Sequence, residues 1–361
     1  MMSGNENVNM EHPGKRLAAE LNKQSMSRKE LSIRTGFTEK HISTVINEQK
    51  SVSPSFAKKL GYALGDEIDW IKLQNDYDNA ILEYKEKNDI SSEEQIVLKS
   101  LKEISAYMTE LGFLAENLNE PEKILALRKI LRVSSLSVIP KISYNAAYRA
   151  QLSSNVLVNV YVLYAWQYLC EWLTQKVAVD KVLDKDLLRD KLPEIKSLMF
   201  DEPNDMRARL KEIFAECGIA FEIVKHFRGA PVQGFIKRVD GGHLILCMTI
   251  RKSRADIFWF TLLHEIAHIL NGDADSRFVD FSSVKSELEE RADEFARDVL
   301  LDKEAYKDFL SHDDFSESAV RSFAASQNVV PCVVTGRLQS DGIIDWDCLS
   351  STLVYYKWIQ S

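Results

Sequence analysis

Apolar residues recur along most of this chain at the three- and four-residue spacing of helices, and the pattern changes between about 204 and 250, where short apolar runs appear from Ala220 on. From Pro13 to about Tyr77 the pattern breaks into short helical pieces. Ser27-Arg28-Lys29-Glu30 reads as a capping box opening a helix whose inward face is expected to carry Leu31 and Ile33, and Gly36 ends it. Thr38 caps the next helix, expected from Glu39 to Glu48 with Ile42, Val45 and Ile46 inward. Two short helices joined by a glycine-containing turn make a helix-turn-helix.

Further along, residues 79–135 are rich in Glu and Lys, with Ile96, Leu98, Leu101, Ile104, Met108 and Leu111 at helical spacing and Ile90-Ser91-Ser92-Glu93-Glu94 as a helix start. An interruption is expected from Ser134 to Pro140, followed by an aromatic-rich helical pattern from Tyr144 to Gln175 with Tyr161, Tyr164, Trp166, Tyr168 and Trp172. Such a stripe belongs to packing, or to contact with a partner, before it belongs to a ligand pocket. Met206 to Cys217 reads as a helix ended by Gly218. Ala220 to Val224, Gly234 to Arg238 and Leu244 to Ile250 read as strands, with Gly241-Gly242 as a turn. The expected fold class is therefore mainly α with a small β-sheet, an α+β arrangement.

The candidate chemistry sits just after these strands. His264-Glu265-Ile266-Ala267-His268 places two imidazoles one helical turn apart on one face, where both can reach a single metal ion. Glu265 lies beside them, in reach of a water proton. Phe258-Trp259-Phe260-Thr261-Leu262-Leu263 before it and Ile269-Leu270 after it are apolar enough for a buried helix, and buried polar groups of this kind need compensation, which a metal provides. Downstream, Leu288, Ala292, Phe295, Ala296 and Val299 mark the inward face of another helix. On it Glu289 is the candidate third ligand, with Glu290 as the alternative, completing the two-His-one-Glu set of catalytic zinc. Asp293, one turn on, suits the support of a ligand imidazole through its other ring nitrogen. The competing reading of this acidic stretch is a solvated helix face. For a second oxyanion donor, His243, Arg251, Arg254 and His312 are all conceivable.

Composition narrows the setting. The chain of 361 residues is long enough for two or three domains. No amino-terminal apolar run follows a positive segment, so no secretory signal is expected. The longest apolar stretch, Val156 to Leu173, contains Asn159, Gln167 and Glu171 and suits a buried helix better than a membrane span. Five scattered cysteines without metal-ligand spacing read as small core residues of a reduced cytoplasmic protein. The net charge of −8 disfavours nucleic acid as a whole, but residues 1–75 carry eleven Lys/Arg against nine Asp/Glu, so that segment is about +2 and the remainder about −10.

In a helix-turn-helix the second helix enters the major groove by its first turns. Lys40, Ser43, Thr44 and Asn47 are the outward residues there able to pair with base edges or phosphates, and Arg28 is placed for a phosphate or a guanine. Lys50, Lys58 and Lys59 add expected phosphate contacts, and His41 is expected to be exposed. The expected partner is operator DNA, although the same geometry serves modules that only dimerise or bind proteins.

Gln24-Ser25-Met26-Ser27-Arg28-Lys29-Glu30-Leu31, Arg34-Thr35-Gly36, Ile42-Ser43-Thr44-Val45-Ile46-Asn47 and Ser53-Pro54 through Ala63-Leu64-Gly65 resemble the lambda-repressor-like domain of HigA-type antitoxins. Arg251-Lys252 through Phe258–Thr261, His264–His268 and Glu289–Leu301 resemble the ImmA/IrrE-type metallopeptidase domain. Phe323-Ala324-Ala325 and Val334-Thr335-Gly336-Arg337-Leu338-Gln339 resemble the tail of long antitoxins that fuse both. Together these blocks cover about half of the chain; the long helical stretch between them carries no matching motif, and its length departs from the simplest fused proteins. The resemblance implies a helix-turn-helix domain over 1–78, a helical middle over 79–200, a zincin-like peptidase domain over 201–310 and a helical extension over 311–361. It implies zinc as cofactor, a zinc metallopeptidase activity, and a cytoplasmic, homodimeric regulator with operator DNA and a toxin or repressor protein as partners, and no membrane. Two functions stay open: a DNA-binding regulator whose peptidase cleaves a repressor, a partner toxin or itself, and an antitoxin that represses its own operon and binds a toxin, with the metal domain as sensor or docking surface.

Overall fold

The structure is a computed structural model that describes residues 11–65, 67–143, 158–239, 241–273 and 287–358. The chain divides into two compact units, Met1–Gln95 with Leu118–Leu125, and Ile96–Asn117 with Ala126–Ser361. Both are mainly helical, and the second holds a small sheet, as the patterning predicts. No helix among the described residues is long and apolar enough to cross a membrane.

The first unit is built on α1 (Pro13–Lys23), α2 (Arg28–Thr35), α3 (Glu39–Ile46), α4 (Pro54–Leu64) and α5 (Trp70–Asn88). Local chemistry sets their starts: the side chains of His12, Ser27, Thr38, Ser53 and Asp69 each accept a backbone N–H of the first turn. Gly36 closes α2 in the left-handed region, with φ of 72°. Leu17, Leu31, Ile42, Val45, Phe56 and Leu60 fill the core. A β-carbon on Gly14 would lie 1.9 Å from the Val45 carbonyl oxygen, so α1 can approach the end of α3 only because position 14 is glycine.

Three expectations for this unit change. Ile33 is 76% exposed rather than inward, because it stands two residues, roughly 200° of helix rotation, from the buried Leu31. The helix expected to reach Glu48 ends at Ile46, since Asn47 is its C-cap and Glu48 turns to φ of 61°. His41 is half-buried, wedged between the rings of Phe37 and Phe56 at centroid distances of 4.7 and 5.0 Å.

Next come α6 (Ser92–Ser100), α7 (Lys102–Glu110) and α8 (Glu120–Ile130), a 3-10 turn over Leu136–Val138, and α9 (Ile139–Ser143). Of the apolar residues expected on one face here, Leu98, Leu101, Ile104 and Met108 are buried while Ile96 is 64% exposed. The start of the expected aromatic-rich helix, residues 144–157, lies outside the described residues, and the pattern is observed as α10 (Val160–Gln175). There Tyr164 and Trp166 are core, with Trp166 Nε1 donating to the Lys225 carbonyl at 3.2 Å.

The second unit continues through α11 (Lys185–Asp190), α12 (Leu192–Ser197) and α13 (Pro203–Glu216) to the strands β1 (Ile219–Ile223), β2 (Gly234–Arg238) and β3 (Leu244–Met248). The strand order is β1-β3-β2, with β3 parallel to β1 and antiparallel to β2. Every residue of β1 and β3 is buried, which is why both read as unbroken apolar runs, whereas β2 is a half-exposed edge. Among the described residues five α-helices follow, α14 (Ala255–Asn271), α15 (Glu287–Leu300), α16 (Lys303–Ser311), α17 (Glu317–Ser326) and α18 (Pro331–Ser340), and then a 3-10 turn over Ser350–Thr352. The tail returns to the start of α14, where Tyr356 N donates to Ser253 O at 2.7 Å and Ala255 N to Val354 O at 2.9 Å. The expected boundaries at 78 and 310 fall inside α5 and α16.

Candidate metal centre

Helix α14 is buried along almost its whole length, so its polar side chains stand out against a core of Trp259, Leu262, Leu263, Ile266 and Ile269. His264, Glu265 and His268 are 8, 2 and 4% exposed, values that oblige each to find a partner. The helix ends at Gly272, whose φ of 88° turns the chain back at once. That turn brings Asp273 against His268, with Nδ1 and Oδ2 2.8 Å apart. His264 has the matching support from α15, Nδ1 to Asp293 Oδ1 at 2.9 Å. Each ring is thus anchored through Nδ1 by an aspartate, and each presents Nε2.

The two Nε2 atoms lie 3.0 Å apart and face the carboxylate of Glu289, whose oxygens stand 3.2 Å from His264 Nε2 and 3.4 Å from His268 Nε2. These three groups fit one ion. A tetrahedral centre with metal–nitrogen bonds of about 2.0–2.1 Å holds its nitrogens roughly 3.3–3.4 Å apart, close to the separation found. All three ligand atoms lie within 4.8 Å of one another, so His264, His268 and Glu289 can hold a metal ion. Glu290, the alternative third ligand, is exposed. Leu288, expected inward, is 39% exposed, and Ala292 and Ala296 form the buried face of α15 instead.

Without an ion the same groups form a charged cluster. Burial works against protonation of His264, but its hydrogen bonds to Asp293 and Glu289 outweigh that and push it up to about 10. The hydrogen bond to His264 holds Glu289 below the ordinary carboxylate range. Asp293 is held low as well: burial opposes ionisation, and the His264 contact and charge prevail.

Glu265 is packed against the first residue of β2. A β-carbon on Gly234 would fall 2.2 Å from Glu265 Oε1, so its carboxylate lies over bare backbone. Beside His264 and Glu289 opens a cavity of about 380 Å³, whose wall includes Gln233, Lys252, Phe260, Arg297, Arg337 and Trp346. None of the four residues considered for oxyanion support lines it. Arg254 grips Asp256 through two hydrogen bonds of 2.9 Å and also Gln339 at 2.8 Å. Arg251 donates to the Pro231 carbonyl, His312 is exposed beside Asp308, and His243 stands at the Gly241 turn. Asp273 and the cavity residues Gln233, Lys252, Arg297 and Arg337 carry no local signal of this role, because their contacts join segments far apart in the chain or beyond a turn.

On α2, α3 and the residue that follows α3, Arg28, Lys40 and Asn47 are exposed. Arg28 Nη1 donates to Ser43 Oγ at 3.2 Å, tying the start of α2 to the outer face of α3, and Thr44 Oγ1 donates to the His41 carbonyl at 2.7 Å. Lys59 lies over the Phe37 ring, 5.0 Å from its centroid.

Compared with protein families, curated proteins and solved structures, the chain matches no family model, no curated protein and no solved structure.

Proposed function

We propose that this chain is a DNA-binding transcriptional regulator of the antitoxin type that carries a zinc-dependent peptidase, acting as a homodimer with a toxin or repressor protein as partner. The observation that carries the peptidase half is the convergence of His264 Nε2, His268 Nε2 and the Glu289 carboxylate within 4.8 Å, each imidazole braced from behind by an aspartate. Two imidazoles and one carboxylate are the donor set of catalytic zinc, which leaves a coordination position open. Zinc bound there supplies Lewis-acid polarisation of a carbonyl and of water.

The remaining work falls to the chain. Glu265, the neighbour of His264, takes the proton of the attacking water and returns it to the leaving amine. Asp293 and Asp273 keep both rings in the tautomer that presents Nε2. For the DNA half, exposed Lys40 and Asn47 on α3 and Arg28 at the head of α2 supply the contacts, with Ser43 holding Arg28 in place.

Elemental analysis of the purified full chain tests the first half: equimolar zinc is expected, lost in His264→Ala and kept in Glu265→Gln. Gel shift on the DNA preceding its own reading frame tests the second. Lys40→Ala with Asn47→Ala should weaken binding and leave the metal content unchanged. Absence of any transition metal overturns the peptidase, and unchanged affinity of the double variant overturns the groove assignment.

A further inference from the structure

The cavity beside the metal group is charged in an uneven way. Three cations reach its wall from three separate elements: Lys252 from the loop after β3, Arg297 from α15 and Arg337 from α18. Three carboxylates line it too, but each is already engaged. Glu289 faces the two imidazoles, Asp293 is bonded to His264, and Asp256 is held at both oxygens by Arg254. The cations keep capacity to spare. Lys252 is exposed and forms no ion pair among the described residues. Arg297 Nη2 makes a long ion pair with Asp293 Oδ2 at 3.6 Å, beyond hydrogen-bond length, so its donors are not used up by it. Arg337 is fixed by Nε to Asp341 at 2.6 Å and by stacking over Tyr306, which sets its guanidinium in position without engaging all of its donors. Phe260, Leu300 and Val333 give the same cavity an apolar wall.

Resting on the peptidase reading above, the geometry points to an acidic specificity site: this cavity takes an Asp or Glu side chain of a peptide laid across the metal group, and Lys252 and Arg297 select it. The methylene stem lies on the apolar wall and the carboxylate meets the cations. A divalent ion at the neighbouring group adds positive charge and favours the same ligand.

The test is binding, read apart from cleavage. Blocked hexapeptide pools, with one position fixed as Glu, Gln, Leu or Lys and the others randomised, are applied to the immobilised zinc-loaded full chain carrying Glu265→Gln. The Glu pool should be retained about tenfold more than the Gln pool, as a hydrogen-bonded charge requires. Lys252→Ala and Arg297→Ala, both at partly exposed positions, should each reduce that preference, and added salt should weaken it. Equal retention of the Glu and Gln pools, or preference for the Leu or Lys pool, overturns the site even if the wild type cuts peptides. A Glu preference lost in Lys252→Glu, with no pool cut by the wild type, upholds the site and overturns the peptidase.

Discussion

The Glu265 carboxylate occupies the space in which a side chain at position 234 would stand, with Oε1 2.2 Å and Cδ and Cγ each 2.6 Å from a β-carbon built on Gly234. The backbone on either side is fixed, so the carboxylate is the part that must move. Gly234 is held in register opposite Met248 on the fully buried strand β3, and Glu265 belongs to a helix buried on most of its surface. Gly234→Ala should therefore displace the carboxylate and leave the three ligand side chains in place. The expected outcome is retained zinc with hydrolysis reduced by about 100-fold or more, the usual size of a lost acid–base group. Metal analysis paired with turnover of a peptide substrate checks it, and undiminished turnover would remove Glu265 from the proton path.

Asp273 and Asp293 make a second prediction, because each is bonded to Nδ1 of a ring whose Nε2 faces the candidate metal position. Asp293→Asn and Asp273→Asn should each weaken zinc affinity by roughly 10–100-fold, measured by competition with a chromophoric chelator. Their effects should combine, since the two aspartates act on different imidazoles, at 2.9 and 2.8 Å. Unaltered affinity in both variants would mean that the anchors do not orient the ligands.

Asp273 also marks where reading the chain stops. Caps are local, so Ser27 and Thr38 were legible as helix starts, and the buried strands were legible as apolar runs within one or two residues of β1 and β3. The pair His264 and His268 was legible for the same reason: one helical turn is a fixed geometry. Glu289 was legible as a class, since its helix period offered it or Glu290, and packing of α15 on α14 turns Glu289 inward. Asp273 depends on a left-handed turn at Gly272, and Lys252, Arg297 and Arg337 meet only after three elements pack. Nothing local announces such meetings. Ile33 and Leu288 failed differently, as apolar residues that the helix rotation turns outward.

Removal of the ion is the third test. A ligand bound only by the folded state stabilises it by about 2.7 kcal/mol at a hundredfold excess over its Kd. Chelation should therefore lower the thermal midpoint of the second unit, reversibly on adding zinc. The loss is partial, because protonated His264 remains bonded to Asp293 and Glu289 in the ion-free cluster. A midpoint that ignores both chelator and zinc would mean that the group is not a metal site.

The first unit carries a pH dependence of its own. His12 caps α1: its Nδ1 accepts the Gly14 N–H at 2.9 Å, and its ring meets Tyr77 edge-on at 4.8 Å. Burial lowers its pKa, Glu48 and Asp78 partly oppose this, and Lys15 adds to it. His41 is lowered too, by burial between Phe37 and Phe56 and then by Lys50. In the unfolded chain both titrate near about 6.5. Below that pH the unfolded state binds protons that the folded state resists, so folding stability is complete above it and falls as the pH drops through it. The decline stops once the folded histidines protonate as well. Protonation at Nδ1 of His12 also removes the acceptor of the cap. Hydrogen exchange of the amides of α1 and α3, corrected for intrinsic rates, should show less protection at pH 5.5 than at pH 7.5. His12→Asn keeps a capping acceptor that does not titrate, so it should reduce this dependence to the part due to His41 without unfolding the unit. Protection that rises on acidification, or a dependence that His12→Asn leaves intact, would assign the effect to other groups.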